Sequence, residues 1–255
     1  MRLGLSGNQN KIASSKGSTE VSNVRMNTQV FIDFDGTLAP GDPTDTLLAR
    51  FADRSWLDLE AHFKAGRMTS RECMARQIGL IRASPAEYDA LVGSMTIDPH
   101  FAAFAQLCER NAIPMTIVSD GPDRSIEILL RKAGLDLPYF ANKLEWLGGD
   151  KWNLSFPHAR TDCAMTAGNC KCQFTNRFPA ATQIMIGDGQ SDFCISNRVD
   201  LVFAKGVLAK HCAAKGVTHH VIKDFRDATR LIKGWLEGGI GTADGRLIEF
   251  GIAAA

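Results

Sequence analysis

Val30-Phe31-Ile32-Asp33-Phe34-Asp35-Gly36-Thr37 decides the reading of this chain. Its first three residues are a short apolar run, the pattern of a strand buried in a parallel sheet. Asp33 and Asp35 then follow two apart, so on an extended chain both carboxylates point to the same side. Holding them together costs repulsion unless a cation or a proton intervenes. The carboxyl end of a parallel strand is also where open α/β sheets bind ligands. Asp-Gly is a common turn pair. A turn alone, however, explains neither the acid closing a buried run nor its repetition.

Working outward, four more runs read as strands: Met115–Val118, Ile184–Ile186, Leu201–Phe203 and Val221–Ile222. Helical periods lie between them. Asp98 is placed to cap a helix carrying Phe101, Phe104, Leu107 and Cys108. A second helix runs from about Asp123 to a C-cap at Gly134, and Leu231, Ile232, Trp235 and Leu236 mark a third. Strands alternating with helices predict a Rossmann-like, three-layer α/β/α core around a parallel sheet.

Residues 43–97 break the alternation and read as all-helical. Thr69 with Glu72, and Ser84 with Glu87 behind Pro85, form capping boxes, while Met74, Ile78 and Ile81 supply an apolar face. The block is too long for a crossover loop, so it is expected to be a small helical cap inserted in a core of 29–42 and 98–240. A hairpin is expected around Leu144 to Phe156, turning at Gly148-Gly149-Asp150. Residues 241–255 are left as a tail. Residues 1–28, rich in Ser, Asn, Gly and Thr, read as a disordered leader. A targeting segment competes, since Arg2, Lys11, Lys16 and Arg25 face only Glu20, as does a start at Met26.

Composition narrows the function. The 255 residues are 45% hydrophobic and 22% charged, an ordinary globular balance. Lys plus Arg number 29 against 28 Asp plus Glu, a net charge of +1 that gives no support for a nucleic-acid or membrane-surface partner. No apolar run is long enough to span a bilayer. Seven cysteines with no apolar leader fit a reduced, cytoplasmic setting better than a disulfide framework.

Three further places suit chemistry. Ser119-Asp120-Gly121 follows a strand and precedes a helix, offering a hydroxyl and backbone N–H groups to an anion, or simply an N-cap. Lys171 stands in Gly168-Asn169-Cys170-Lys171-Cys172, where it is either a point charge for a phosphoryl group or a solvated surface lysine. The same loop suggests a zinc site from Cys163, Cys170, Cys172 and His158, though Cys-x-Cys lacks the usual ligand spacing. Gly187-Asp188-Gly189-Gln190-Ser191-Asp192 offers two hard carboxylates for Mg²⁺ at another strand end, and does not complete a dinucleotide fingerprint.

The order of these motifs, from Asp33 to Asp192, resembles the haloacid dehalogenase superfamily of phosphohydrolases. The cap position is similar to its phosphoserine phosphatase-like branch. Ser70-Arg71-Glu72, the Gly168–Lys171 loop and Asp200–Lys205 resemble the methionine-salvage phosphatases of 2-hydroxy-3-keto-5-methylthiopentenyl-1-phosphate. Gly121 after Ser119-Asp120, and the Gly187-Asp188-Gly189 run common in phosphoserine phosphatases, leave phosphoserine as an alternative substrate. A phosphomutase would use the same four motifs, and a non-catalytic zinc-structured interaction protein is the third alternative.

The resemblance implies a Mg²⁺-dependent enzyme acting on a small phosphorylated metabolite. Asp33 would be the nucleophile and Asp35 the general acid–base. Mg²⁺ would be held by Asp33, the Asp35 carbonyl and Asp188, with Asp192 a further ligand or an orienting group. Ser119, the backbone near Asp120 and Gly121, and Lys171 would cradle phosphate. From the cap, Arg71 and Glu72 would contact the leaving group, and Trp56 or Met74 would provide an apolar wall.

Overall fold

The computed structural model describes residues 27–180 and 182–237, with a two-residue ladder joining Thr242–Ala243 to Arg246–Leu247. Residues 1–26 of the expected leader and most of the tail lie outside the described residues, and Thr28, placed in that leader, instead opens β1 as a buried residue. Among those described, β1 (Thr28–Ile32), β2 (Met115–Pro122), β3 (Tyr139–Gly148), β4 (Lys151–Ser155), β5 (Thr182–Gly187), β6 (Leu201–Ala204) and β7 (His219–Val221) form one sheet. Its spatial order is β4-β3-β2-β1-β5-β6-β7. Every pairing is parallel except β3 with β4.

Strand β1 is central because both its faces are apolar. Val30 and Ile32 pack into one cluster with Phe104, Ile126 and Phe225, whereas Phe31 enters a second with Val118, Phe174, Met185 and Ile195. Such two-sided burial is what makes the run continuous rather than alternating.

The helices are α1 (Pro43–Phe51), α2 (Trp56–Lys64), α3 (Ser70–Leu80), α4 (Pro85–Ser94), α5 (Phe101–Arg110), α6 (Asp123–Ala133), α7 (Phe174–Arg177), α8 (Phe193–Ser196), α9 (Gly206–Lys215) and α10 (Phe225–Leu236). Helix α5 packs on α10 through Phe225, whose ring centroid lies 4.8 Å from Phe101 and 5.2 Å from Phe104. Burying the phenylalanine contributes about 1.5–3 kcal/mol. Helix α6 ends at Gly134 as expected.

Several local expectations change. His100, not Asp98, is the N-cap of α5. The Asp98 carboxylate instead accepts the His100 and Phe225 amides, at 2.8 and 3.1 Å, and so ties the start of α10 to the entry of α5. Ser84 and Glu87 complete their capping box. Thr69 accepts the Glu72 amide at 3.1 Å, but the Glu72 carboxylate turns to Arg76 instead of back to the cap.

The expected hairpin is β3–β4, with one difference. Tyr139 and Phe140 pair with β2 in the parallel core, and the same strand then runs on to β4. Only one long strand serves both, a feature hidden because Tyr139-Phe140-Ala141-Asn142 shows no extended apolar run.

Helices α1 to α4 occupy the expected insertion, yet their apolar faces are not separate from the core. Leu47, Ile78, Tyr88 and Val92 belong to the same buried cluster as Ile32 and Phe104. Polar ties reinforce the seam: Tyr88 Oη lies 2.7 Å from Ser125 Oγ, and Trp152 Nε1 donates to the Ala83 carbonyl at 2.8 Å.

Candidate active site

Three strand ends and one loop meet at Asp33. The chain leaves β1 with the Asp33 amide donating to the Ile186 carbonyl of β5 at 2.9 Å, which sets the two acidic segments side by side. Asp33 Oδ1 accepts the Phe34 amide at 2.8 Å and the Lys171 ammonium at 2.6 Å. Both bonds fall on one oxygen. Oδ2 therefore faces the site free of either.

Lys171 is completely buried, which excludes the surface-lysine reading. Its Nζ bridges Asp33 Oδ1 and Asp192 Oδ1, each at 2.6 Å. Burial disfavours its charge, but the two carboxylates outweigh that and push the ammonium above its ordinary range. Asp33 is pushed well upward by burial first and by Asp192 second, with Lys171 opposing. Thus the lysine stabilises the charged carboxylates while the low-dielectric surroundings resist them.

Both oxygens of Asp192 are engaged. Its other oxygen accepts the Asp188 and Gly189 amides, both at 3.1 Å. Asp188 is held differently, with Oδ1 accepting the Thr37 hydroxyl at 2.8 Å. Burial raises its pKa, with the Thr37 bond opposing. Lys205 donates to the Gly36 carbonyl at 2.9 Å and adds positive charge at the rim. Gly36 itself has φ +74°, and a Cβ there would stand 2.5 Å from Asp188 Oδ2. Backbone conformation and close approach both require glycine.

Asp35 accepts the Ser119 hydroxyl on Oδ2 at 3.2 Å, and the Gly121 amide donates to Ser119 Oγ at 2.9 Å. Ser119 is not an N-cap, because α6 begins only at Asp123 after Pro122. Asp35 Oδ1 is buried without a hydrogen-bond partner. Burial, and next Asp42, raise the Asp35 pKa strongly. A side chain at Gly121 would drive its Cβ into Asp35 Oδ2, so the third residue of this motif is a clearance for the second acid.

Asp120 is engaged elsewhere. Its Oδ1 accepts the Asn169 amide at 2.7 Å and Asn142 Nδ2 at 3.1 Å, and Ser70 Oγ of the cap lies 3.4 Å from Oδ2. Asn169 also donates to the carbonyls of Ser119 and Phe140, both at 2.8 Å. Asn142 and Asn169 thus pin the lysine loop to the ends of β2 and β3. Sequence reading assigned neither a role. The only signal was the position of Asn169 beside Lys171, and Asn142 carried none.

The cap candidates divide. Arg71 donates its amide to the Thr166 carbonyl and its Nη2 to the Arg160 carbonyl, both at 3.2 Å, while Nε is buried without a partner. Glu72 forms a surface ion pair with Arg76, and Trp56 packs against the main apolar cluster. Neither bonds to the Asp33 group.

The zinc arrangement does not form as expected. The His158 ring packs between Phe140 and Phe174, at 5.3 and 5.8 Å, and its carbonyl accepts the Cys170 amide. Among the described residues, the group able to hold a metal is Asp33, Asp188 and Asp192, whose oxygens lie within 4.8 Å of one another. All donors are hard oxygens, the set that suits Mg²⁺ rather than a soft metal. Crowded buried acids with raised pKa values, and the orphaned Asp35 Oδ1, fit a divalent cation. The bonds on both Asp192 oxygens suit an anchoring role, while Asp33 Oδ2 and Asp188 Oδ2 are free for ligation.

Residues 30–195 match the family model for haloacid dehalogenase-like hydrolases. A 2-hydroxy-3-keto-5-methylthiopentenyl-1-phosphate phosphatase of an Exiguobacterium species is 29% identical over 82% of this chain and 99% of its own length. One from Brevibacillus brevis is 28% identical over 80% of this chain and 94% of its own. A solved phosphoserine phosphatase carrying a phospho-aspartyl intermediate analogue shares the fold at TM-score 0.61 and 17% identity, covering 80% of this chain and 98% of that one. The chain belongs to the haloacid dehalogenase-like hydrolase family. Within that family it is a phosphatase, a phosphoric monoester hydrolase. No described helix is long and apolar enough to cross a membrane.

Proposed function

We propose that this enzyme hydrolyses a small phosphorylated metabolite through an aspartyl-phosphate at Asp33, with Mg²⁺ as its cofactor. The metabolite we assign is 2-hydroxy-3-keto-5-methylthiopentenyl-1-phosphate, supported by the names of relatives matched along nearly their whole length. The observation that carries the mechanism is the one-sided bonding of Asp33. Phe34 and Lys171 both hold Oδ1, which orients the carboxylate and leaves Oδ2 for attack on phosphorus.

Mg²⁺ would be held by Asp33, Asp188 and the Asp35 carbonyl, with Asp192 orienting Asp188, and would neutralise charge on the phosphoryl oxygens. The other roles fall to side chains. Asp35, raised by burial, carries a proton to the leaving oxygen as the phosphorus–oxygen bond breaks. The resulting carboxylate then takes a proton from the water that attacks the aspartyl-phosphate. Ser119 holds Asp35 and, when phosphate is present, its hydroxyl and the nearby amides contribute donors together with Lys171. Arg71 and the cap helices contribute contacts to the leaving group and limit water.

Phosphate release from a panel of phosphate esters with Mg²⁺, including phosphoserine and the methionine-salvage substrate, tests the assignment. The latter is expected to give the highest kcat/KM. Preference for phosphoserine would overturn the substrate. In single-turnover experiments, Asp35→Asn should slow transfer from an alkyl ester far more than from an aryl ester, whose oxygen leaves without protonation. Equal slowing would remove Asp35 as the acid.

A further inference from the structure

Four of the seven cysteines converge behind Lys171 from three segments. Cys170 and Cys172 flank the lysine on its turn, with sulfurs 3.3 Å apart. Cys170 also meets Cys163, and Cys172 meets Cys194 on α8. The thiols thus form a chain of pairwise contacts. Among the described residues no three of these sulfurs lie mutually within 4.8 Å, a spacing that suits disulfide exchange between neighbours better than a tetrahedral metal.

We propose that Cys172 and Cys170 form a peroxide-reactive dithiol whose oxidation to a disulfide displaces Lys171 and suppresses the phosphatase. The reaction is balanced by hydrogen peroxide alone. The Cys172 thiolate attacks one peroxide oxygen, giving Cys172 sulfenic acid and a hydroxide that leaves as water. The Cys170 sulfur then displaces the sulfenic oxygen, which leaves as a second water. Two thiols and one peroxide become one disulfide and two waters, with two electrons passing from sulfur to oxygen.

Cys172 suits the attacking role. Proximity to Cys194, foremost, brings its thiol down to about 6, which favours the thiolate. It is 9% exposed against 1% for Cys170, which gives peroxide access to the attacking sulfur first. The effect on catalysis follows from position. Closing the sulfurs from 3.3 Å to about 2.05 Å contracts the backbone on both sides of Lys171, whose Nζ is fixed to two buried carboxylates. A misplacement of about 1 Å at such a site costs up to about a hundredfold in rate.

The test treats the full chain with equimolar hydrogen peroxide, blocks free thiols by alkylation, and maps tryptic peptides before and after reduction. Trypsin cuts after Lys171, so a Cys170–Cys172 disulfide joins the 161–171 peptide to the 172–177 peptide. The linkage should form in wild type and in Cys163→Ser, be missing in Cys170→Ser, and accompany a tenfold or greater loss of phosphate release restored by dithiothreitol (about a hundredfold at most). A 172–177 peptide joined instead to 178–198 would assign the pair to Cys172 and Cys194 and overturn the proposal. So would unmodified thiols, or a complete disulfide with unchanged activity. The peptide map reads the linkage whichever phosphate ester the enzyme prefers.

Discussion

The Lys171 ammonium lies 2.6 Å from Asp192 Oδ1, and neither side chain is exposed to solvent. Asp192 is itself held by two amides, so the lysine is braced from behind and extends to Asp33 from a fixed base. A buried ion pair of this kind adds little net stability, but breaking one partner leaves an uncompensated charge.

Replacing Lys171 by alanine is therefore expected to cost stability as well as activity. Asp33 and Asp192 would face each other without their shared cation. The loss should be about 3–5 kcal/mol in denaturant unfolding of the metal-free protein. Lys171→Met, which refills the volume, should retain the charge defect. A midpoint unchanged in both variants would show that the bridge does not hold the two acids together.

Asp33→Asn should abolish turnover while preserving the fold. The amide is nearly isosteric, remains bonded to Phe34 through its carbonyl oxygen, and removes one of the crowded negative charges. Circular dichroism with phosphate release checks both halves. Near-normal turnover by a folded variant would exclude the covalent route.

Gly36 and Gly66 separate strain from obstruction. Both have positive φ, at +74° and +68°, but a Cβ at Gly66 meets nothing within 4 Å whereas one at Gly36 meets Asp188. Gly66→Ala should cost about 1–2 kcal/mol and leave kcat unchanged. Gly36→Ala should pay the same strain and also lower kcat by about a hundredfold through displacement of Asp188. Equal kcat values in the two variants would refute the close-approach role.

Asp42 supplies a pH dependence. Burial first, and the neighbouring Asp45 second, raise its carboxyl to about 6. The folded state thus binds a proton more tightly than the unfolded chain, near pH 3.9. Stability from this group is present below the unfolded value and is lost as pH rises through about 6. Asp42→Asn keeps an acceptor for the Asp45 amide at 3.0 Å and removes the charge. It should stabilise the chelator-treated protein at pH 7 by about 1 kcal/mol, discounted because the residue is only partly buried, and by nothing at pH 4. A gain of equal size at both pH values would assign the effect to packing.

The cap seam predicts the behaviour of a deletion. Removing residues 43–97 would expose Trp152, Ile126 and their neighbours, because Tyr88, Ile78 and Leu47 complete the same apolar cluster. The shortened chain is expected to aggregate or lose cooperative unfolding by calorimetry. A soluble deletion with a sharp transition would show the core to be independent.

Sequence alone determined the central strands, the helical insertion and the acids at their ends, because these depend on local patterns. An apolar run closing in Asp33-x-Asp35 or before Asp188 reads the same whatever lies beside it. Tertiary structure decided what each group faces. Lys171 is a lysine in a polar loop until burial removes water from it and leaves Asp33 and Asp192 as its partners. Asp192 resembled Asp188 in sequence, yet two amides and the lysine engage both its oxygens while Asp188 keeps one oxygen open. Asp98 looked like a cap for the helix that follows it and also binds one 127 positions away. Such assignments depend on desolvation and on which strand ends adjoin. Both arise only when the sheet order brings distant segments together.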